Sequence, residues 1–505
     1  MKYPKSFATL RPLLMIVVLP LLLGAVITLL VLRLPPNGHG TGLVEAYDFR
    51  ALYCGGVTTL AHADPYLTEP LRSCEHDRSP SKLFVADIPT WVVLPAPYPG
   101  YALEMFSGLA RFDFMTAKAL WLGILSAALC YLVVALATLS GWPIVVVALA
   151  LLPTVVFYNL WLGSTPPLAM LGVACAAIAV ARKRPALAVP PLAVAMIDPH
   201  LVLPAAIALV AIAPKARIAA LGGLVALVAL SVHAIGIGGN LEYFQEVLPT
   251  HARAEVFVRL QYSLTHVLAL IGVPVDFALK LGTLSYAALA VAAVFNATRE
   301  IDSAQGRARA IVLPCALVAL GGTFIHNQEI SLALPAAFVL TRSIRTDAQR
   351  FLLTVGFMGI LFSPIVDNLR MVAPSYIAAS VAIAFMIWPR RRIAACIISA
   401  TAAVALIALL RVLPSTHFTD TAATQLEPPG ITGTTSSGIV WADFLAGRPS
   451  WTHEDTASIA LKIPTWLGLL SIIILGTTTR GKASIVKGSL RTDEKITAGT
   501  PLLPV

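Results

Sequence analysis

The segment Glu45–Tyr53 brings ionisable and aromatic side chains together directly after the first apolar stretch of the chain. Asp48, Arg50 and Tyr53 lie close together there, at the start of a polar region that runs to Asp113. A carboxylate with water on one side and an apolar phase on the other is suited to act as a general base toward a hydroxyl group. We predict that Asp48 is this base. The alternatives are a helix N-cap and a salt bridge between Asp48 and Arg50.

Other side chains in the weakly charged connections could complete a site around this carboxylate. His326 lies at the outer end of an apolar stretch, where a histidine could contact a phosphate; a purely structural role is the alternative. Tyr66 and Tyr98 follow prolines in turns. For the basic residues, snorkelling toward a membrane interface is the alternative to substrate binding. The remaining candidates for substrate binding are Arg50, Tyr53, His200, Arg259, Lys280 and Arg370.

Motifs for several other kinds of chemistry are missing from the sequence. It contains no GxxxxGK[ST] loop and no GxGxxG after a strand, so chemistry driven by a soluble nucleotide is not indicated. It contains no HExxH and no Cys/His set with the spacing of metal ligands. We therefore expect no metal and no other cofactor.

Apolar helices must position these residues. Of the 505 residues, 57% are hydrophobic and only 12% are charged, and the mean hydropathy is +0.81; soluble domains carry about 25% charged residues. Apolar stretches of about 16 to 24 residues recur along the chain, enough to cross a hydrocarbon core of ~30 Å as helices. The composition predicts an all-α polytopic membrane protein with about 12 to 14 transmembrane helices. The first of them, Leu13–Leu32, is expected to be an uncleaved anchor. The second is predicted at Thr116–Leu139.

The distribution of charge predicts the orientation. The net charge of +10 is concentrated in short clusters, such as Arg182–Arg184, Arg390–Arg392 and the basic tail 481–505. This positive-inside pattern places both termini in the cytoplasm and gives no indication of nucleic acid binding. The membrane domain would span 1–480, with external loops at 34–115, 236–275 and 411–456.

The polar turns gather on the external side of this topology, which predicts a cavity there. These turns are the three external loops and the segments 159–166, 198–200, 326–329 and 367–370. The stretch 186–213 is predicted to be a hairpin of two short helices that turns at Asp198-Pro199-His200, because proline interrupts a regular helix. Cys54 and Cys74 share the first loop and could form a disulfide or remain two free thiols.

Several short motifs follow one another in an order typical of one known family. They are Asp48-Phe-Arg-Ala-Leu-Tyr53, Pro97-Tyr98-Pro99, Ala117-Lys-Ala-Leu-Trp121 and Asn159-Leu-Trp-Leu-Gly163, followed by His326 at the head of a short apolar stretch. In this order the chain resembles glycosyltransferase family 87, the bacterial polyprenol-phosphate-mannose-dependent mannosyltransferases, over most of residues 10–390. The resemblance implies a GT-C-like bundle whose external loops form the active site.

The resemblance also implies an activity and partners. A hexose, mannose in the family, would pass from a polyprenyl-phosphate donor to a lipid or glycan acceptor at the external face of the cell membrane, with inversion at the anomeric carbon. The lipid phosphate is a good leaving group, so one carboxylate suffices, unlike the pair in a glycosidase. The phosphate would need cationic or hydrogen-bonding stabilisation. Membrane lipids are the remaining expected partner.

Two positions depart from the family pattern. Ser164 follows Gly163 where the family often has glutamine, and Asp198 precedes Pro199 where it often has lysine. The second departure removes a phosphate contact, for which His200 could substitute. A polyprenyl-lipid flippase or secondary transporter is the alternative from another class, and mid-span charge pairs with repeat symmetry would favour it. A non-catalytic membrane protein of envelope assembly is a further alternative.

Overall fold

The structure is a computed structural model that describes residues 46–77, 93–258, 260–299, 301–367, 369–412, 436–446 and 458–479. All regular secondary structure in these ranges is helical. The predicted anchor Leu13–Leu32, the tail 481–505 and Arg259 lie outside the described residues.

Nine α-helices of seven or more residues lie in the described part of the first half of the chain. They are α1 (Tyr47–Leu60), α2 (Thr68–Asp77), α3 (Gly100–Leu109), α4 (Phe114–Ser140), α5 (Ile144–Leu151), α6 (Pro166–Ala181), α7 (Val189–Ala195), α8 (Pro199–Ile212) and α9 (Arg217–Glu242). A π-helical segment, Leu152–Asn159, continues α5, and a second, Tyr243–Val247, continues α9.

Ten further helices follow in the described residues of the second half. They are α10 (Leu248–Ala254), α11 (Leu264–Leu270), α12 (Val275–Thr298), α13 (Ala304–Val318), α14 (Leu334–Leu340), α15 (Asp347–Asp367), α16 (Leu369–Ile387), α17 (Arg392–Val412), α18 (Ser436–Ala446) and α19 (Ser458–Thr478). A 3₁₀ turn, Glu329–Ala333, leads into α14. The third predicted external loop, 411–456, is therefore not all loop, because it contains α18.

Among the residues that the structure describes, four helical stretches are long and apolar enough to cross a membrane. They are Phe114–Ser140, Pro214–Ala254, Val275–Thr298 and Ile459–Thr478, and six shorter apolar helices accompany them. The first agrees closely with the apolar stretch seen in the sequence. The longest stretch, Pro214–Ala254, turns its apolar side chains outward, and only 11% of its most apolar 18-residue segment is buried.

The core forms around α4, α6 and α13. Helix α6 packs against both α4 and α13, and α14 packs against α4. Nearby, α15 and α19 approach so closely that a Cβ atom at Gly359 would lie 2.2 Å from the carbonyl oxygen of Pro464. Glycine permits this approach because it has no side chain. The bundle is thereby held rigid beneath the polar connections.

The hairpin predicted at Asp198-Pro199-His200 is present. Helix α7 ends at Ala195 and α8 begins at Pro199, with the turn between them, and the two helices pack together. Proline at the first position of α8 lacks an N–H that would have no helical partner there in any case. The break therefore places Asp198 and His200 at the start of a helix, beside the other polar connections.

A disulfide joins Cys54 in α1 to Cys74 in α2, which decides the alternative that the sequence left open. Arg50 strengthens the same junction, because its Nη2 donates a 2.9 Å hydrogen bond to the carbonyl oxygen of Glu75. The side chain of Glu75 in turn accepts a 3.1 Å hydrogen bond from the N–H of Leu94. Helices α1 and α2 and the segment after residue 92 are thus held together.

Candidate active site

A cavity of about 960 Å³ lies where the polar connections meet. Its wall combines acidic and imidazole side chains with aromatic rings and aliphatic side chains. The seventh predicted polar segment, 367–370, has no described side chains. Six of the seven predicted external polar segments contribute to the wall: 34–115, 159–166, 198–200, 236–275, 326–329 and 411–456.

The turn after α5 brings one wall of the cavity against the start of α1. Gly163 adopts a φ of 69°, and a Cβ atom there would lie 3.0 Å from the Cβ of Phe49. The carbonyl oxygen of Gly163 accepts a 2.8 Å hydrogen bond from the indole of Trp121, and the N–H of Ala46 donates to the carbonyl oxygen of Trp161 at 3.2 Å. Because only glycine tolerates both the backbone conformation and the close contact, Gly163 lets Ser164 reach α1.

Ser164 donates a 2.5 Å hydrogen bond to Oδ2 of Asp48. Asp48 lies in the first turn of α1, one residue past the N-terminal residue of the helix, and Ala46 occupies the capping position. Arg50 pairs with Glu75 at 3.9 Å. The N-cap and the Asp48–Arg50 salt bridge are therefore both wrong as accounts of Asp48, which faces the cavity instead. Burial raises the pKa of Asp48 above its usual value, and the Ser164 hydrogen bond and the charge of His326 offset part of this rise.

Thr165, the residue after Ser164, binds a second aspartate. Thr165 donates a 2.7 Å hydrogen bond to Oδ1 of Asp198, which is only 4% exposed and lines the cavity. Burial and the charge of Glu329 raise the pKa of Asp198 to about 7. Adjacent hydroxyl groups on one turn thus position two carboxylates, Asp48 and Asp198.

Three histidines and two glutamates form a continuous line along the cavity wall, which we call the His–Glu chain. Glu329 Oε2 lies 3.2 Å from Nε2 of His200 and 3.7 Å from Nδ1 of His326. Glu255 Oε2 lies 3.0 Å from Nε2 of His326 and 3.1 Å from Nε2 of His251. His326 therefore stands between two carboxylates, with one ring nitrogen toward each.

Backbone pairing between two distant segments brings His326 to Glu255. The N–H of Tyr262 donates to the carbonyl oxygen of Ile325 at 2.7 Å, and the N–H of Asn327 donates to the carbonyl oxygen of Leu260 at 3.0 Å. The side chain of Gln261 reinforces this pairing, because it donates to Glu255 at 2.6 Å and accepts from the N–H of Ile325 at 2.8 Å.

The electrostatics of this pair favour charged forms of both partners. Burial alone would raise the pKa of Glu255, but the charges and hydrogen bonds of His326 and His251 lower it to about 2. Burial alone would lower the pKa of His326, but Glu255 and Glu329 hold that pKa well above its usual value. At neutral pH, His326 is therefore an imidazolium between carboxylates.

An aromatic cover closes part of the cavity. The ring of His251 stacks on Trp441 of α18, with centroids 5.1 Å apart and planes 12° apart. Its other neighbour is Phe324, at 4.5 Å, which also lies 4.8 Å from the ring of His200. Helix α18 thus contributes a wall of the site from the third predicted loop.

The predicted substrate-binding residues divide into two groups. Tyr98, His200 and His326 line the cavity together with Asp48. The other described side chains stand outside it and support its walls or lie on the surface. Tyr53 donates to the carbonyl oxygen of Phe112, Tyr66 donates to that of Tyr98, Arg50 pairs with Glu75, and Lys280 is exposed on α12. Arg370 lies in the first turn of α16.

The charge of the cavity differs from the expectation of a basic phosphate site. Its described lining has no lysine or arginine, and it has four carboxylates, Asp48, Asp198, Glu255 and Glu329, against three histidines. Within the described residues, no group of three or more His, Cys, Asp or Glu side chains is arranged to hold a metal ion. Positive charge in this part of the wall therefore comes from imidazolium groups.

Four residues of the site were not predicted from the sequence. Thr165, His251, Glu255 and Glu329 all lie in polar connections that the topology had placed on the external side. The only available signal was their membership of those connections, because ion pairs between distant segments leave no local pattern. Comparison of the chain with family models, curated proteins and solved structures gave no match, and the resemblance to family 87 glycosyltransferases rests on the short motifs alone.

Proposed function

We propose that this protein is a membrane glycosyltransferase that moves a hexose, by resemblance mannose, from a polyprenyl-phosphate donor to a lipid or glycan acceptor at the external face of the cell membrane. One observation carries the proposal. A partly buried carboxylate with a raised pKa, Asp48, lies in a cavity that also reaches exposed apolar side chains of α9.

The apolar border of the cavity supports a lipid-linked substrate. Several aliphatic and aromatic side chains of α9 and its π-helical continuation both line the cavity and remain more than a third exposed. Such a set can bury the chain of a polyprenyl lipid that enters from the hydrocarbon side. These residues are Leu224, Val228, Val232, Ile237, Leu241 and Phe244.

The proposed chemistry needs one proton acceptor. The acceptor hydroxyl oxygen attacks the anomeric carbon as the bond from that carbon to the phosphate oxygen breaks, and Asp48 takes the hydroxyl proton. The products are the glycosylated acceptor, with inverted configuration, and polyprenyl phosphate. The raised pKa makes Asp48 a stronger proton acceptor than an ordinary exposed aspartate.

The His–Glu chain supports binding of the phosphate. In this proposal the positive charge of His326 offsets part of the charge of a bound phosphate through space, because Glu255 and Glu329 lie against its two ring nitrogens. The two glutamates act through His326 and are positioning residues. His200, on the other side of Glu329 in the His–Glu chain, offers a second imidazole. It could replace the lysine that the family often has at the position of Asp198.

The test is a transfer assay with purified protein, radiolabelled polyprenyl-phosphate mannose and an acceptor extract of membrane lipids. We expect a labelled lipid or glycan product from the wild type and at least about 100-fold less from Asp48→Asn, the range for loss of a general base. Exposed Asp113→Asn, which keeps an N-cap remote from the cavity, is the matched control and should retain activity. Equal transfer by wild type and Asp48→Asn would contradict the proposed mechanism.

The His–Glu chain also favours a second candidate, a proton-coupled lipid transporter. Alternating histidines and carboxylates inside a membrane bundle are typical of proton pathways. In proteoliposomes loaded with a pH-sensitive dye, such a transporter would move protons only when polyprenyl phosphate is present, and His326→Gln would abolish the signal. The glycosyltransferase proposal expects no substrate-dependent proton flux.

A further inference from the structure

Asp198 has one oxygen atom without a hydrogen-bond partner. Its Oδ1 accepts the hydrogen bond from Thr165, but Oδ2 is buried and has no partner among the described residues. Leaving a buried acceptor unsatisfied is costly, so such groups in folded proteins call for an explanation. Because Asp198 lines the cavity, a ligand in the cavity can supply the missing donor.

The side chain of Asp198 does not cap the helix that it precedes. Asp198 occupies the N-cap position of α8, yet its side chain makes no capping hydrogen bond. An aspartate at an N-cap usually accepts from the N–H groups of the first turn. Here Thr165 holds the side chain instead, with Oδ2 left for another partner.

The position relative to Asp48 indicates which part of a substrate lies there. Ser164 binds Asp48 and Thr165 binds Asp198, and the Cα atoms of consecutive residues are about 3.8 Å apart. In the proposed reaction, Asp48 lies beside the acceptor hydroxyl and therefore close to the anomeric carbon. A group bound by Asp198 next to it belongs to the sugar ring.

We propose that Asp198 is a specificity-determining residue whose free Oδ2 accepts a hydrogen bond from a hydroxyl group of the transferred sugar. This inference rests on the proposed glycosyltransferase function. A direct contact of ionised Asp198 with the donor phosphate is disfavoured by like charge. A cation bridge is disfavoured because the described residues offer no third ligand to a metal ion.

The protonation of Asp198 makes the contact dependent on pH. Burial and the charge of Glu329 raise its pKa to about 7. A carboxylate accepts a stronger hydrogen bond than the neutral acid. We therefore expect the wild type to bind the mannosyl lipid more tightly, relative to an Asp198→Asn variant, above pH 7 than below it.

The experiment measures binding of two lipids to purified protein in nanodiscs: polyprenyl-phosphate mannose and polyprenyl phosphate. Tryptophan fluorescence is a suitable signal because Trp161 and Trp441 line the cavity. We expect Asp198→Ala to weaken binding of the mannosyl lipid about tenfold and to change binding of the bare lipid less than about twofold. Asp198→Asn, which is isosteric, should retain the fold, match the wild-type affinity for the mannosyl lipid below pH 7 and bind that lipid more weakly than the wild type above pH 7.

The control is Asp113→Ala, which removes an exposed N-cap outside the cavity lining and should leave both affinities unchanged. Equal weakening of both lipids, no weakening of either, or a ratio of wild-type to Asp198→Asn affinity for the mannosyl lipid that does not change with pH would each overturn the role of Asp198. A wild-type protein that binds neither lipid would instead overturn the proposed function and this inference with it. Thermal unfolding of each variant separates loss of binding from loss of the fold.

Discussion

Ser164 donates a 2.5 Å hydrogen bond to Asp48 across 116 residues of sequence. The contact joins the turn after α5 to the first turn of α1, and it exists because Gly163 allows the two backbones to approach closely. The hydrogen bond favours the ionised form of Asp48 and so offsets part of the rise in pKa that burial causes. In the proposed reaction, Ser164 would thus help Asp48 to act as a base.

Asp48→Asn should abolish most transfer activity while preserving the fold. Asparagine has nearly the same shape but cannot take a proton, so activity should fall by about 100-fold or more. Thermal stability and affinity for the donor lipid should stay close to wild type. Asp48→Glu should retain a little activity, because its carboxylate is misplaced.

Arg50→Ala is the informative comparison for Asp48→Asn. Since Arg50 pairs with Glu75 and not with Asp48, its loss should lower stability and leave the chemical step of the folded fraction intact. Comparable loss of kcat in well-folded Arg50→Ala and Asp48→Asn would restore the salt-bridge interpretation of Asp48.

Ser164→Ala should shift the acid limb of the pH–rate profile to higher pH. A base works in its ionised form, so activity rises as pH increases through its pKa. Removing the Ser164 hydrogen bond removes an influence that lowers the pKa of Asp48, and that pKa should rise further. Rates of the two proteins should converge at alkaline pH. An unshifted profile with a uniformly reduced kcat would show that Ser164 acts only on geometry.

Glu255→Gln should destabilise the protein by about 3 to 5 kcal/mol, the usual cost of breaking a buried ion pair. The substitution leaves His326 and His251 without the carboxylate that lies 3.0 and 3.1 Å from them. The matched control is Glu69→Gln, which removes an exposed ion pair with Arg72 and should cost less than about 1 kcal/mol. Equal unfolding midpoints for the two variants would argue against a charged His326.

The stability contributed by His326 should depend on pH with a definite sign. Its folded pKa is raised above the unfolded value of about 6.5. The ion pairs therefore contribute fully below about pH 6.5, and their contribution is lost as pH rises through the folded pKa. The difference in unfolding temperature between wild type and His326→Gln should shrink from pH 6 toward alkaline pH. A difference that stays constant would mean that the pKa of His326 is the same in the folded and the unfolded protein, against an imidazolium held by the two glutamates.

Two single-cysteine sites test the predicted orientation. Glu69 in α2 and Arg184 after α6 are both exposed, and the positive-inside pattern puts them on opposite faces of the membrane. In intact cells, a membrane-impermeant thiol reagent should label Glu69→Cys at once and Arg184→Cys only after permeabilisation. The unmodified protein measures the background from its own cysteines. The reverse labelling order would place Asp48 in the cytoplasm and exclude an external active site.

Helix positions were predictable because they depend on local properties of the chain. The apolar stretch around α4 was predicted at Thr116–Leu139 and is observed at Phe114–Ser140, since length and apolar composition determine such a helix. The break at Asp198 was predictable from Pro199 and the flanking basic clusters. The gathering of the polar connections followed from charge alternation alone, and the cavity lies among them.

The pairing of individual side chains was decided by the tertiary structure. Arg50 is two residues from Asp48 in the sequence, yet it pairs with Glu75, because the Cys54–Cys74 disulfide brings α2 against α1. Glu255 meets His326 only because backbone hydrogen bonds join their segments. The spacing of apolar residues in a sequence indicates its helices. The partner of a buried charge depends instead on which distant surfaces pack together. Packing alone therefore determines which carboxylate stays free for chemistry and which is bound in an ion pair.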